Sequence, residues 1–203
     1  MNTAFHRNDL PDDFVHGQSV AIDTETMGLD NRRDRLCLVQ LSIGDGTACL
    51  VKIDHGQDSA PNLVRLLRNR SVLKIFHFAR FDIAALLAAF GALTEPVYCT
   101  KVASKLARTY TDQHGLKALA REILDLDLNK EQQSTDWGSN TLSEAQIEYA
   151  ANDVLHLHKI KIELDRMLER EGRMDLANAC FDFLPVRANL DVAGWAGKDI
   201  FAH

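Results

Sequence analysis

The stretch that decides the fold is Ser19-Val20-Ala21-Ile22-Asp23-Thr24-Glu25, in which an apolar run leads into two acidic residues. The apolar run predicts a strand. Side chains alternate along a strand, so Asp23 and Glu25 should leave the same face at its end. Two adjacent carboxylates raise each other's pKa unless a cation lies between them. A solvated surface pair is the alternative interpretation, and the apolar run preceding the pair weighs against it.

The remaining chain has strands first and helices later. Gly44-Asp45-Gly46 is a hairpin signal, and the chain from residue 100 onward is almost entirely helical. The last helix begins with the capping-box pattern Ser143-Glu144-Ala145-Gln146, with Leu142 as a hydrophobic staple, and ends at Gly172. We predict strands over 19–25, 36–43, 48–53 and 72–76, and helices over 62–70, 82–90, 101–109, 115–124 and 143–171. This order predicts an α/β fold, a mixed sheet with helices packed on it.

The composition is that of one globular domain, which we place over residues 1–203. The chain is 46% hydrophobic and 26% charged, and 23 Lys+Arg against 29 Asp+Glu give a net charge of -6. These values exclude a disordered or collagen-like chain. They also argue against coating of DNA by a basic surface, so nucleic acid would have to bind at a local basic patch.

The cysteines and the N-terminal residues indicate in which cellular compartment we expect the protein. The chain contains four cysteines: Cys37, Cys49, Cys99 and Cys180. Their spacing is neither that of a C-x-x-C motif nor that of a disulfide scaffold, so we expect them to be reduced. The first twenty residues are too acidic for a signal peptide, and the longest apolar stretch, 83–93, is too short to span a bilayer. We therefore expect a cytoplasmic protein with no membrane partner.

Two further motifs carry carboxylates. His77-Phe78-Ala79-Arg80-Phe81-Asp82 opens the helix after the predicted strand 72–76, where an acidic residue is favoured by the helix dipole whatever its function. Tyr149 and Asp153 are four residues apart and share a helix face, where a simple hydrogen bond would also explain them. In contrast, His156 and His158 point about 200° apart on a helix, which excludes a shared zinc ion.

Taken in order, these motifs resemble the DEDDy branch of the DnaQ-like 3′-5′ exonucleases, of the ribonuclease D type. The matching residues are Asp23, Glu25, Asp82, Tyr149 and Asp153. Similarity also extends over 129–137 and 142–154, and His77 stands where many such enzymes carry Asn and ribonuclease D types accept His. The resemblance covers roughly residues 15–170 and leaves a C-terminal extension over 172–203. It implies a ribonuclease H-like mixed sheet flanked by helices.

Residues 21–29 and 32–37 are also similar to the compact nanoRNase C enzymes, which degrade RNAs as short as dinucleotides and form octameric rings. The resemblance implies a metal-dependent 3′-5′ exoribonuclease that releases 5′-mononucleotides. Four clustered carboxylates carry about -4, which two Mg²⁺ or Mn²⁺ ions would balance. In the family's pattern Asp23 bridges both ions, Glu25 and Asp153 complete one site, Asp82 holds the other ion, and Tyr149 orients the attacking water.

Substrate contacts are predicted more weakly. A basic patch with an aromatic side chain for stacking follows the second motif. It comprises Lys101, Lys105, Arg108, Tyr110, His114 and Lys117. For any one of these residues, a solvated helix face is the stronger interpretation. Met27 and Leu29 are expected either to wedge against the terminal base or to join the core, and Thr24, His77 and Trp137 complete the predicted substrate-binding set.

Three alternatives stay open at this stage. Ribonuclease D-like trimming of tRNA 3′ ends, or a DNA exonuclease, would use the same metal-binding motifs. An inactive nucleic-acid-binding module should lack a metal ligand, and all four carboxylates are present. The apolar tail over 191–203 either packs on its own domain or grips another subunit, and we predict a homo-oligomer larger than a dimer.

Overall fold

The chain folds around a six-stranded mixed sheet flanked by helices, in a computed structural model that describes residues 2–14, 16–128, 132 and 135–203. The strands are β1 Asn2–Arg7, β2 Ser19–Thr26, β3 Leu36–Ser42, β4 Thr47–Lys52, β5 Leu73–Phe76 and β6 Val97–Cys99. The helices are α1 Pro61–Arg68, α2 Ala79–Phe90, α3 Thr100–Ala107, α4 Leu116–Leu124, α5 Glu144–Leu155, α6 Leu157–Arg170 and α7 Met174–Leu190, followed by a π-helical turn, Asp191–Trp195. The predicted fold class is confirmed. Part of the ribonuclease D-like motif, Asn129, Lys130, Glu131, Gln133 and Ser134, lies outside the described residues.

The strand order is β1-β4-β3-β2-β5-β6. β3 is antiparallel to both of its neighbours, whereas β2, β5 and β6 run parallel to one another. Parallel neighbours end at the same edge of a sheet, so the acidic end of β2 lies beside the segment that leaves β5 toward α2. The topology therefore brings the first and second acidic motifs together.

The core is formed where the central strands are covered by helices. β3 is buried at every position, and the apolar half of β2, Val20–Ile22, is fully buried. α5 packs against β2, β3 and β4, while α2 packs against β2, β3, β5 and β6. The helix that carries Asp82, α2, and the helix that carries Asp153, α5, are thus both packed on the sheet whose edge carries Asp23 and Glu25.

Two strands were not predicted. We expected a polar lead-in before residue 19, but Asn2–Arg7 pairs in parallel with β4 at the edge of the sheet. Most of β1 is exposed, so its sequence shows no apolar alternation from which a strand could be recognised. β6 has only three residues, all buried, and such a short run gives no periodic signal.

The prediction of one continuous helix over 143–171 is wrong, because the structure has two helices there. The chain breaks at His156, so α5 packs on the sheet while α6 packs on α3, α4 and α7. Both ends are as predicted: the Ser143 hydroxyl accepts a hydrogen bond from the Gln146 amide at 3.2 Å, and Gly172 has a left-handed φ of 64°. One half packs on the sheet and the other on the surrounding helices. A single straight helix could not make both sets of contacts.

The C-terminal extension contacts its own domain. The Arg80 guanidinium binds Asp191 through two hydrogen bonds of 2.5 and 2.9 Å and also donates to the Ala196 carbonyl at 2.7 Å. Trp195 and Phe201 nevertheless remain 44% and 77% exposed. Phe201 packs against Phe183, with 5.9 Å between the ring centroids. Polar and apolar contacts therefore hold the tail on its own chain, and part of its apolar surface stays exposed.

Among the described residues, no helix is both long enough and apolar enough to cross a membrane. All four cysteines are free, and three of them are buried.

Candidate active site

Three carboxylates converge where β2 meets α5. Asp23 and Glu25 leave the same face of β2, as predicted, and α5 brings Asp153 to them. Each offers an oxygen atom, and these three atoms all lie within 4.8 Å of one another. A pair that the sequence could assign to a solvated surface is thus part of a compact acidic cluster.

Asp82 adds a fourth carboxylate from the first turn of α2. Its side chain is 3% exposed, and its Oδ1 accepts a hydrogen bond of 2.7 Å from the Thr24 hydroxyl. Thr24 was predicted to contact substrate and does line the cleft beside this cluster, while its side chain is largely buried and its hydroxyl is directed to Asp82. The geometry gives Thr24 the role of holding a carboxylate.

Burial and mutual repulsion together hold protons on this cluster. Burial is the main cause that raises the pKa of Asp23 well above its ordinary value, and the charges of Asp82, Asp153 and Glu25 add to it. Burial and the charges of Asp153 and Asp82 raise the pKa of Glu25 to about 9. Burial also raises the pKa of Asp82 to about 7, although the Thr24 hydrogen bond opposes that rise. The described protein groups therefore do not balance the charge of the four carboxylates when all are ionised.

Tyr149 lies beside this cluster, one turn before Asp153. Its pKa is raised first by burial and then by the charges of Asp153, Glu25 and Asp23, with a hydrogen bond to Asp153 adding to the effect. The phenol therefore keeps its proton at neutral pH. Its ring packs against that of Trp137, with 6.0 Å between the centroids. Tyr149 can thus donate a hydrogen bond but is a poor free base.

The donor set fits hard divalent cations. Mg²⁺ and Mn²⁺ prefer carboxylate oxygens, and the cluster offers several of them at the wall of one cleft. A cation between Asp23, Glu25 and Asp153 would relieve the repulsion that raises their proton affinity. This fit rests on geometry and charge, and it agrees with the predicted metal-binding role.

The cluster lines a cleft of about 600 Å³ with apolar and basic walls. Met27 and Leu29 line it and are 51% and 87% exposed, so they do not belong to the core. His77 also lines it, with Nδ1 2.9 Å from the Thr100 hydroxyl, and so does Trp137, which is only 2% exposed. These four predicted substrate residues therefore surround one cavity.

Among the described residues, Lys101 and Lys117 supply the lysine side chains that line the cleft. The Lys101 ammonium lies over the Phe78 ring, 4.3 Å from its centroid, and Lys117 pairs with Asp127 at 3.2 Å. Sequence reasoning missed Phe78, which lines the cleft and is 47% exposed. A large aromatic residue directly after a buried strand, inside a polar motif, is the signal that could have indicated it. Phe81, Leu116 and Leu128 were also missed and complete the apolar wall.

Arg108 is placed differently from the prediction. Its side chain is fully buried, and its guanidinium pairs with Glu122 and donates to the Gln113 carbonyl at 2.8 Å. The Tyr110 hydroxyl also donates to Glu122, at 2.5 Å. His114 is 2.8 Å from the Ser104 hydroxyl. These side chains hold the connection between α3 and α4 and are not among the residues that line the cleft.

Residues 4–169 match a family model described as 3′-5′ exonuclease. The solved structure of Brucella melitensis NrnC is 59% identical to this chain, with a TM-score of 0.96, and the match covers 100% of this chain and 98% of that one. NrnC is also known with bound Mg²⁺, at 57% identity, a TM-score of 0.95 and 100% of both chains. A further NrnC structure, bound to pGG, matches at 58% identity and a TM-score of 0.96, over 100% of this chain and 99% of that one.

Ribonuclease D proteins are more distant relatives. That of Gluconacetobacter diazotrophicus is 40% identical over 156 residues, which are 77% of this chain and 39% of the relative. The Escherichia coli RNase D structure is 27% identical, with a TM-score of 0.73, over 84% of this chain and 45% of that one. The chain thus spans about two fifths of the length of such curated relatives. The resemblance inferred from the motifs is confirmed.

Proposed function

This chain belongs to the 3′-5′ exonuclease family, and from that premise we propose that it removes 5′-mononucleotides from the 3′ ends of short RNA oligonucleotides. The predicted enzyme class, an exonuclease, is confirmed by the family match over residues 4–169. The choice of short RNA rests on the similarity to NrnC over the whole chain and on the pGG bound to that protein.

The observation that carries the proposal is the position of the carboxylate cluster in an open cleft. The oxygens of Asp23, Glu25 and Asp153 lie within 4.8 Å of one another, and the cleft of about 600 Å³ reaches them. Such a cavity can admit one or two nucleotides beside the metal ligands. A purely structural acidic cluster would have no reason to lie on the wall of a cleft.

Asp23, Glu25 and Asp153 would hold one divalent cation, and Asp82 would contribute to a second. Bound divalent cations neutralise the cluster, stabilise charge on the scissile phosphate and lower the pKa of water. Thr24 keeps Asp82 oriented through its 2.7 Å hydrogen bond. Tyr149 stays protonated, so its hydroxyl can hold a water molecule in line with the phosphorus.

The cleft walls favour a short single strand. Met27, Leu29 and Phe78 present exposed apolar surface against which bases can stack. Lys101 and Lys117 supply positive charge for phosphates in a protein whose net charge is -6. The walls offer stacking and charge rather than a hydrogen-bonding pattern for one base, so we expect little sequence preference.

We further propose a homo-oligomeric ring, with an octamer as the form implied by the resemblance to nanoRNase C, located in the cytoplasm. The exposed apolar side chains of the tail, Trp195, Ile200 and Phe201, support an interface there. A ring with active sites facing inward would admit short or threaded strands. Use of two ions, and of Mn²⁺ beside Mg²⁺, belongs to the same proposal.

The experiment is product analysis on 5′-labelled RNAs of about two to twenty nucleotides, with matched DNAs, in Mg²⁺ and in Mn²⁺. We expect shortening from the 3′ end, with the fastest turnover on the shortest RNAs. Preference for long structured RNA would favour ribonuclease D-like tRNA trimming, and preference for DNA would favour a DNA exonuclease. Binding of RNA without any cleavage would indicate an inactive binding module and overturn the proposal.

A further inference from the structure

Lys52, the last residue of β4, is a buried ammonium outside the carboxylate cluster. It is 1% exposed, and its Nζ donates to the Trp137 carbonyl at 2.9 Å and to the Cys37 carbonyl at 3.4 Å. Within the described ranges, no carboxylate lies at ion-pair distance from it. Burying an ammonium with only neutral acceptors is costly, so these two hydrogen bonds are needed to offset its desolvation.

The loop that Lys52 contacts, residues 135–140, leads from the catalytic cleft to the start of α5; we call it the tryptophan loop. Two further basic side chains hold it. Arg35 donates to the Gly138 carbonyl at 3.2 Å, and Arg7 donates to the Asn140 carbonyl at 2.7 Å. Three cationic side chains, at the ends of β1 and β4 and just before β3, thus bind three carbonyls of one short loop.

Lys52 lies in the same row of the sheet as a metal-binding residue. In the strand register Glu25 pairs with Leu38, and Leu38 pairs with Lys52. Residues that pair across neighbouring strands project to the same face of a sheet. Lys52 therefore supports the tryptophan loop from the face that carries the acidic cluster.

The loop places the Trp137 ring against that of Tyr149. The Trp137 side chain is 2% exposed, and its ring centroid is 6.0 Å from that of Tyr149. Its indole N–H has no hydrogen-bond acceptor in the part of the chain that the structure describes. Packing and the main chain therefore position the ring, and the Lys52 bond holds the carbonyl of the same residue.

We propose that Lys52 is a positioning residue for the exonuclease reaction: it fixes Trp137 against Tyr149 and so keeps the Tyr149 hydroxyl beside Asp153. This inference rests on the proposed function, in which that hydroxyl orients the attacking water. Arg35, Arg7 and Gln146 hold other residues of the loop, so loss of the Nζ bond would release the Trp137 carbonyl itself and let the Trp137 and Tyr149 rings shift. A displacement of about 1 Å in a catalytic group can cost up to about 100-fold in rate.

The chain offers a matched control in Lys74, on β5. Lys74 is also fully buried, and its Nζ likewise donates to two carbonyls, those of Asn69 and Glu95, at 2.8 and 2.6 Å. Lys52→Met and Lys74→Met therefore remove the same kind of buried group. With pGG and Mg²⁺, we expect Lys52→Met to lower kcat by about 10- to 100-fold with KM changed by less than about twofold, and Lys74→Met to leave both near wild type.

Two further measurements distinguish a positioning role of Lys52 from a general disturbance of the fold. If Lys52 acts through the hydroxyl, Lys52→Met should lower kcat little further in a Tyr149→Phe background. In a Trp195→Phe background Trp137 is the single tryptophan, so its emission should shift with Lys52→Met and not with Lys74→Met. Lys52→Leu, which also removes the donor, replaces Lys52→Met in every arm if that variant does not fold, with Lys74→Leu as its control.

Equal kinetic losses in the two lysine variants would overturn the inference. So would a full additional loss in the Tyr149→Phe background, because the lysine charge would then act on the carboxylates directly. Failure of the proposed function looks different: wild type would not cleave pGG. The emission comparison still tests the positioning of Trp137 in that case, and an unchanged emission would overturn it.

Discussion

Replacing Glu25 by Gln should stabilise the metal-free protein. Burial and the charges of Asp153 and Asp82 raise the pKa of Glu25 from 4.5 to about 9, whereas in the unfolded chain it stays near its ordinary value. A carboxyl whose pKa is raised on folding stabilises the fold below the unfolded value, and that contribution is lost as the pH rises toward the folded value. Each pH unit between the two costs about 1.4 kcal/mol. At pH 7 the accumulated cost is about 3 kcal/mol of unfolding free energy.

The amide that replaces the Glu25 carboxyl would not titrate, so the variant does not lose this unfolding free energy at pH 7. For a domain of this size about 3 kcal/mol corresponds to a rise in Tm of roughly 6–12 °C. The assay is thermal unfolding in chelator at pH 7 and at pH 4.5, with Glu148→Gln, an exposed change on α5, as the control. The gain should be present at pH 7 and absent at pH 4.5. A variant no more stable than wild type at pH 7, or one whose gain persists in acid, would refute this electrostatic account.

Three other predictions follow from the same geometry. Asp153→Asn should abolish nucleotide release while the fold remains intact, because a metal ligand is lost and a repulsive charge removed; near-normal turnover in Mg²⁺ would contradict the metal assignment. Tyr149→Phe should lower kcat by about 100-fold or more with little change in KM, since only the hydroxyl is removed; a raised KM at unchanged kcat would instead indicate substrate binding. Deleting residues 191–203 should weaken assembly in light scattering, and an intact chain already monomeric at 22.7 kDa would argue against the ring.

The two residue pairs within the acidic cluster could be predicted because strand alternation and helical spacing are local rules. Strand alternation placed Asp23 and Glu25 on one face, and helical spacing placed Tyr149 with Asp153. That the two pairs meet, and that Asp82 joins them, followed from the resemblance and not from any local pattern. The structure adds the distances and the burial that raise their proton affinity.

The sequence predictions that failed concern residues whose partners are distant in the sequence. Arg108 is basic and was assigned to a substrate-binding surface, yet Glu122, fourteen positions away, neutralises it inside the protein. No sequence pattern indicated a role for Lys52, because its acceptor, the Trp137 carbonyl, is 85 residues away in the chain. The helix break at His156 could not be predicted because it depends on which layer each half contacts.

The central claim is that the cluster of Asp23, Glu25, Asp82 and Asp153 cleaves short RNA with divalent cations. Its most direct test is the release of mononucleotide from pGG as Mg²⁺ is titrated into chelator-treated protein, with Asp153→Asn alongside. The account predicts no release without metal, saturable release as Mg²⁺ is added, and none from the variant at any concentration. Release that persists in chelator, or that survives in Asp153→Asn, would contradict it.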